Sequence, residues 1–117
     1  MIALARQDDT AIRAVIEPMI DTMLAGSTHR DHATHVQDFT PRLKAIVTED
    51  NLSQQCEDYQ ARIGTVTRRE FVALFRREYS VAATWRLFFT KTDDEYVLEA
   101  MFVERDGVLQ IEHCMMF

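Results

Sequence analysis

The sequence has no apolar run near the roughly 18 residues that a membrane-spanning helix needs, so we expect no membrane role. It is also poor in positive charge, with 13 Lys and Arg against 19 Asp and Glu and a net charge of −6. A phosphate-binding face requires clustered basic side chains, so this balance argues against a nucleic-acid partner. The two basic pairs, Arg68-Arg69 and Arg76-Arg77, are each followed by an acidic residue, which favours solvent-facing charges.

Cysteine is scarce, and we expect no secretory signal. Residues 1–9 contain a short apolar run without a basic segment, which predicts no secretory leader. Cys56 and Cys114 are the only cysteines; two buried, reduced thiols in a cytoplasmic protein are favoured, and a single disulfide stays open. Repeats, low-complexity tracts and linkers are absent, so residues 1–117 are predicted to form one domain that is long enough to bury its own core.

Motifs for catalysis, metal binding or phosphate binding are also absent. Three of the four histidines, His29, His32 and His35, lie within the polar segment 27–39. A three-residue step turns each histidine about 60° backward around a helix, so only neighbouring pairs share a face. This favours exposed histidines, with a chance nickel or zinc site at His32 and His35 as the alternative. We predict neither a metal nor a cofactor.

What the sequence does contain is a strand-rich C-terminal third, which predicts three consecutive strands joined by two turns. The second turn, Asp106-Gly107, is typical of a two-residue type I′ hairpin, whose central residues need positive φ. This hairpin predicts that Phe102 lies opposite Ile111 and that Ala100 lies opposite His113.

The first turn is predicted to be a polar loop of four residues, 91–94. Its register places Trp85 opposite Ala100 and Arg86 opposite Glu99. One face then collects the apolar side chains of all three strands, an agreement that supports the register: Ala83, Trp85, Leu87, Phe89, Tyr96, Leu98, Ala100, Phe102, Leu109, Ile111, His113, Met115 and Phe117. The other face mixes polar and apolar residues, which predicts cover by a second subunit and a homodimer through the sheet.

Helices are predicted upstream. Acidic residues at 8–9 cap a first helix, whose apolar positions from Ile12 to Leu24 follow helical spacing and which ends at Gly26. Thr40-Pro41 is typical of a second helix start, with Thr as the N-cap and Pro at the first position. The apolar stripe that crosses this point equally fits one helix bent at Pro41.

A third helix is predicted from Thr48 to Gly64, with acidic residues in its first turn. Residues 65–79 fit either a helix face or a buried strand. We favour a strand, because the segment lacks helix caps and follows a helix-ending glycine. It would be the fourth strand of the sheet.

This order of elements resembles the nuclear-transport-factor-2-like superfamily, also described as a cystatin-like cone fold. The resemblance covers residues 9–117 and is marked by the segment from Thr48 to Gly64, by Trp85 in the second strand, and by the segment from Phe102 to Gly107. It implies an α+β fold in which three N-terminal helices pack on a curved antiparallel sheet of about four strands. Members include isomerases, dehydratases, polyketide cyclases and transport adaptors, so the fold alone does not choose a role.

The resemblance also implies a pocket between the helices and the concave sheet face. The predicted row of Trp85, Ala100 and His113 would face this pocket, with Tyr59 of the third helix looking onto it. An aromatic wall with one imidazole is typical of a site for a small apolar ligand. The structural alternative is that Trp85, Tyr59 and His113 are packing residues of the core or of a dimer interface.

Two functions are therefore expected. The first is binding of a small apolar molecule or a protein partner, with Tyr59, Trp85 and His113 as ligand-binding residues. The alternative is a cofactor-independent isomerase, dehydratase or cyclase that uses His113 as the catalytic acid or base, since histidine is the usual side chain for proton transfer near neutral pH.

Overall fold

The computed structural model describes residues 1–117 as a helical half followed by a sheet. After a 3₁₀ turn, Leu4–Arg6, the helices are α1 (Asp9–Thr28), α2 (His32–His35), α3 (Pro41–Ile46) and α4 (Glu49–Ile63). The strands are β1 (Val66–Arg76), β2 (Val81–Phe89), β3 (Thr92–Arg105) and β4 (Val108–Met116). They form one antiparallel sheet in the order β1-β2-β3-β4. The predicted α+β class and the fourth strand within residues 65–79 are confirmed, and the helices number four.

Three helix starts follow from their capping residues. The side chains of Asp8, Thr40 and Thr48 each accept a hydrogen bond from the backbone N–H three residues further on. Pro41 occupies the first position of α3, where its missing N–H costs no hydrogen bond. Thr40 therefore begins a separate helix rather than a bend. None of the helices combines the length and the apolar character that crossing a bilayer requires.

The predicted end of the first helix at Gly26 is wrong, because α1 continues to Thr28. Gly26 is instead the point where α2 packs against α1. A Cβ atom added at Gly26 would lie 2.3 Å from the backbone nitrogen of His35 and 2.5 Å from its Cα. Only glycine permits this close approach, which fixes the position of His35.

Alternate residues of β2 point into a hydrophobic cluster of 23 buried residues that also includes the buried faces of α1 and α4. The predicted pairing of Trp85 with Ala100 is wrong, since Trp85 lies opposite Leu98. The turn is shorter than predicted, since Phe89 pairs with Thr92. The N–H groups of the two turn residues, 90 and 91, donate at 3.0 Å to the carbonyls of Thr65 and of Ile63, the last residue of α4. A shift of two residues leaves every side chain of β2 and β3 on its predicted face.

For the hairpin between β3 and β4, the predicted turn is confirmed, but the predicted register fails further from the turn. Asp106 and Gly107 have φ values of 53° and 77°, as a type I′ turn requires. Phe102 lies opposite Ile111 as predicted. The register then shifts, so that Ala100 lies opposite Cys114 and His113 lies opposite Met101. The predicted pair of Ala100 with His113 is therefore wrong, and His113 lies on the outer face of the sheet.

The cause of this shift is a β-bulge at Glu112, where β4 has one more residue than β3. Arg42 of α3 donates to the Glu112 carboxylate at 2.7 Å and also to the Glu112 carbonyl. Just before the bulge, the N–H of Ile111 donates to the Asp38 carbonyl at 2.7 Å, and the N–H of Thr40 donates to the Ile111 carbonyl at 2.9 Å. The edge of β4 is thus occupied by the chain that enters α3.

Candidate functional site

A cavity of about 390 Å³ lies between the helices and the helix-facing side of β3 and β4. Its volume falls within the usual range for small-molecule sites. The wall is formed by Met23, Leu24, Ser27, His35, Leu52, Gln55, Asp58, Tyr59, Arg62, Leu98, Cys114, Met115 and Met116. Most of this surface is apolar, and the polar side chains come from α1, α2 and α4.

Tyr59 lies in this wall, but without the predicted row of Trp85, Ala100 and His113. It follows Leu52 and Cys56 on the buried stripe of α4. Its hydroxyl lies 2.7 Å from Oγ of Ser27 on α1, and the side-chain amide of Gln60 donates to it at 3.2 Å. Tyr59 therefore joins α4 to the end of α1 while its ring remains available as apolar surface.

His35 is half-buried in the wall, which corrects the prediction that the histidines of this segment are exposed. Its Nδ1 lies 2.8 Å from the carbonyl oxygen of Met23. A carbonyl only accepts, so Nδ1 holds the proton. The ring also meets the edge of Phe39 at a centroid distance of 5.2 Å.

The other ring nitrogen of His35, Nε2, has no hydrogen-bond partner in the protein. Every fully buried side-chain nitrogen or oxygen does have a partner, so Nε2 is accessible. Burial lowers the pKa of His35 below its ordinary value of 6.5; the bond to Met23 opposes this shift, and nearby His32 adds to it. At pH 7 the imidazole is neutral, with Nε2 as a hydrogen-bond acceptor.

His35 was missed by reasoning from the sequence, although one signal was present. Gly26 interrupts an otherwise regular helical pattern, and such a glycine often marks a close approach of another segment. His32 binds elsewhere, with Nε2 2.8 Å from the Val47 carbonyl. The two imidazoles therefore bind different backbone carbonyls. No three His, Cys, Asp or Glu side chains cluster closely enough to hold a metal ion.

Sulfur atoms form much of the cavity wall on the sheet side. The bulge at Glu112 turns Cys114 toward the helices, where burial raises the pKa of its thiol to about 11. Cys114 and the fully buried Cys56 are both free, so the two reduced thiols that we favoured are present. Met115 and Met116 complete this part of the wall, and their flexible thioethers can adapt to different apolar shapes.

Trp85 is a core residue and lies outside the cavity wall. It is 1% exposed, and its Nε1 donates to the Glu17 carboxylate at 2.9 Å. The ring packs edge-on against Phe71 of β1 at a centroid distance of 6.3 Å. Trp85 therefore holds α1 to the sheet, as the structural alternative stated.

His113 lines a second, outer groove of about 430 Å³ rather than the helix-facing cavity. Its Nε2 lies 2.8 Å from the Glu99 carboxylate, and both side chains are more than a third exposed. Arg86 also lies on this face, opposite Val97 instead of Glu99, and it pairs with Glu70 at 3.1 Å. The three predicted site residues are thus dispersed, and only Tyr59 lies in the helix-facing cavity.

Comparison with known proteins supports the fold. No protein-family model matches the chain, and no curated protein matches it. A designed protein of the nuclear-transport-factor-2-like class matches with a TM-score of 0.62 and 14% identity, over 90% of this chain and 98% of that one. The chain has a nuclear-transport-factor-2-like fold. A SEC-C motif containing protein from Rhodopseudomonas palustris matches with a TM-score of 0.60 and 10% identity, over 85% of this chain and 76% of that one. These likenesses concern the fold alone.

Proposed function

We propose that the chain binds a small, largely apolar molecule in the cavity between the helices and the sheet. The observation that carries the proposal is the cavity itself, about 390 Å³ with an apolar wall and few polar atoms. Sites for small molecules commonly combine a mostly apolar lining with a few placed polar groups. Tyr59 keeps its predicted ligand-binding role, and His35 joins it.

Binding would draw most of its free energy from the apolar wall. Each methylene group that moves from water into such a wall contributes about 0.8 kcal/mol. Leu52 of α4 and Leu98 of β3 offer rigid surfaces on opposite sides, whereas Met23, Met115 and Met116 can change rotamer around the ligand. The half-exposed Met115 lies where the cavity opens to solvent.

The six methionines allow a test with an internal control. Three of them, Met23, Met115 and Met116, line the cavity, whereas Met101 lines the outer groove. In a protein labelled with ¹³C at the methionine methyl groups, propylbenzene should shift the three cavity signals and leave the Met101 signal in place. Absence of shifts, or equal shifts of all six signals, would refute the proposal. Native mass spectrometry of the untagged protein would reveal any retained ligand by its mass.

The alternative function is a cofactor-independent isomerase, dehydratase or cyclase. It is favoured by the neutral imidazole of His35, whose accessible Nε2 is able to accept a proton. The test is exchange of the α-protons of an apolar aryl ketone with solvent deuterium. Loss of exchange in His35→Asn but not in His113→Asn would support a base at His35. Loss in His113→Asn instead would place the base in the outer groove, and no exchange would refute the alternative.

A homodimer through the outer sheet face is the second part of the proposal. Large apolar side chains are exposed on this face, including Phe75 at 50% and Val97 at 37%. Several charged side chains of this face have partners in the same chain, such as Glu99 with His113 and Arg86 with Glu70, so a second copy would not isolate these charges. Sedimentation velocity should report a dimer for the wild type and a monomer for Met101→Lys. A monomeric wild type, or a dimeric Met101→Lys, would exclude this interface.

A further inference from the structure

We infer that the ligand of the helix-facing cavity has a hydrogen-bond donor, and that the cavity selects neutral apolar alcohols or phenols over matched ethers and carboxylate anions. This inference rests on the proposed function and names the ligand class for it. Its basis is Nε2 of His35, an accessible polar atom on a half-buried side chain of the wall that lacks a hydrogen-bond partner.

The other polar side chains of the wall already bind protein atoms. The hydroxyls of Ser27 and Tyr59 lie 2.7 Å apart. Asp58 pairs with Arg62 at 3.0 Å. The fifth, Gln55, donates to a side chain one helical turn away at 2.8 Å. Gln55, Asp58 and Arg62 are also solvent-exposed, so their remaining polar atoms stay hydrated, whereas His35 is half-buried.

Nε2 of His35 acts as an acceptor, because the bond from Nδ1 to the Met23 carbonyl fixes the tautomer. A hydroxyl group on the ligand satisfies this acceptor, and an ether oxygen cannot. An ether in the same position would shield the acceptor Nε2 from solvent without offering it a donor, which costs free energy. A buried acceptor therefore lowers the affinity of a ligand that has no hydrogen-bond donor.

Charge in the wall favours a neutral ligand. Burial keeps the pKa of His35 below 6.5, so the imidazole contributes no positive charge at pH 7. The only other cation of the wall, Arg62, is already paired with Asp58. The α1 part of the wall has no titratable side chain, and the titratable groups near His35 on the remaining elements are His32, Asp58, Tyr59, Arg62 and Cys114. A carboxylate in this cavity would lose its hydration without gaining a free cation.

The experiment compares three propylbenzenes that differ only in the para group, by calorimetry on the full chain: 4-propylphenol, 4-propylanisole and 4-propylbenzoate. One hydrogen bond is worth about 1 kcal/mol, so the phenol should bind about five- to tenfold more tightly than the anisole, and the benzoate should bind most weakly. Equal affinity for phenol and anisole would overturn the inference but leave the proposed function standing. If none of the three binds, the proposed function fails as well.

A matched variant tests His35 directly. In His35→Asn the side-chain amide nitrogen can occupy the place of Nδ1 and donate to the Met23 carbonyl, while Nε2 is removed. Affinity for the phenol should fall to that of the anisole, and affinity for the anisole should not change. The control is His113→Asn, on the outer face of the sheet, which should behave like the wild type. A phenol preference that persists in His35→Asn would overturn the assignment.

The wild type provides a second test that does not depend on any variant folding. Long-range ¹H–¹⁵N spectra should show the Nδ1-protonated tautomer of His35 and a shift of its Nε2 signal when the phenol binds. As pH falls below 6.5 and His35 gains a proton, Nε2 stops accepting, so the preference for phenol should disappear along the titration of this residue. A preference that does not follow that titration would contradict the inference.

Discussion

Trp85 of β2 donates its indole N–H to the carboxylate of Glu17 on α1 at 2.9 Å. The same oxygen of Glu17 accepts from Arg69 of β1 at 3.0 Å, and the second oxygen accepts from Arg13 at 2.9 Å. One carboxylate thereby connects α1 to two neighbouring strands. Because α1 also provides part of the cavity wall, this junction sets the position of that wall relative to the sheet.

Replacing Trp85 by Phe should lower the free energy of unfolding by about 1–3 kcal/mol, since a buried hydrogen bond is lost and the smaller ring leaves space. Glu17→Leu should cost more than Glu17→Gln, because glutamine keeps a side-chain acceptor while leucine removes the one that Trp85 and Arg69 share. Urea unfolding followed by circular dichroism measures these differences. Equal stabilities of Glu17→Leu and Glu17→Gln would show that the hydrogen bonds contribute little.

The same junction predicts a dependence of stability on pH. Burial acts to raise the pKa of Glu17, but hydrogen bonds from Arg13, Arg69 and Trp85 outweigh it, so the pKa lies below its ordinary value of 4.5. A carboxylate with a lowered pKa in the folded state stabilises the fold above its unfolded-state pKa, and this contribution is lost as pH falls through the folded value. Below pH 4.5 the wild type should therefore lose stability more steeply than Glu17→Gln. Parallel curves for the two proteins would contradict this.

Gly26→Ala should lower the free energy of unfolding, which is the opposite of its effect in an ordinary helix. In an ordinary helix this change stabilises by about 1 kcal/mol. Here the new Cβ would lie 2.3 Å from the backbone nitrogen of His35, so we expect a net loss of about 1–3 kcal/mol and displaced NMR signals for His35. The neighbouring exposed Ala25→Gly measures the ordinary helix effect in the same segment. A stabilised Gly26→Ala would show that α2 does not pack on α1 in this way.

Features whose cause is local could be predicted from the sequence. The caps at Thr40 and Thr48, the type I′ turn at Asp106-Gly107 and the position of Tyr59 all follow from residues within a few positions of one another. The faces of β2 and β3 also follow, because an error of two residues in register preserves alternation.

The features that could not be predicted depend on contacts between residues that are distant in the chain. The bulge that turns His113 outward and Cys114 inward is held by Arg42, which lies 70 residues before Glu112. No pattern within β4 marks it. The place of His35 likewise depends on Gly26 of another helix. Local patterns thus predicted the strands and the buried position of Tyr59, whereas the outward position of His113 and the packing of His35 depend on distant residues.

Cys114 should be a slow thiol, although it lines the cavity. With a pKa of about 11 instead of 9.0, its thiolate population at pH 8 is about 100-fold smaller than that of an ordinary cysteine. A more basic thiolate is also a better nucleophile, which raises the rate by about tenfold and offsets part of the 100-fold smaller population. Reaction of Cys114 with a disulfide reagent should therefore be at least about tenfold slower in the folded protein than in the urea-unfolded chain. The reaction should accelerate as pH rises toward 11, and a cavity ligand should suppress it.

The variants Cys56→Ser and Cys114→Ser separate the two thiols. Cys56 is fully buried, with Sγ 3.3 Å from the Ser27 carbonyl, so in Cys114→Ser it should react only when the fold opens and should be indifferent to a cavity ligand. In Cys56→Ser the remaining thiol is Cys114, and its reaction rate should depend on both the pH and the presence of a cavity ligand. A rapid reaction of Cys114 at pH 8 would mean that solvent reaches the sulfur, and the apolar wall on which the proposed ligand binding depends would then be open at β4.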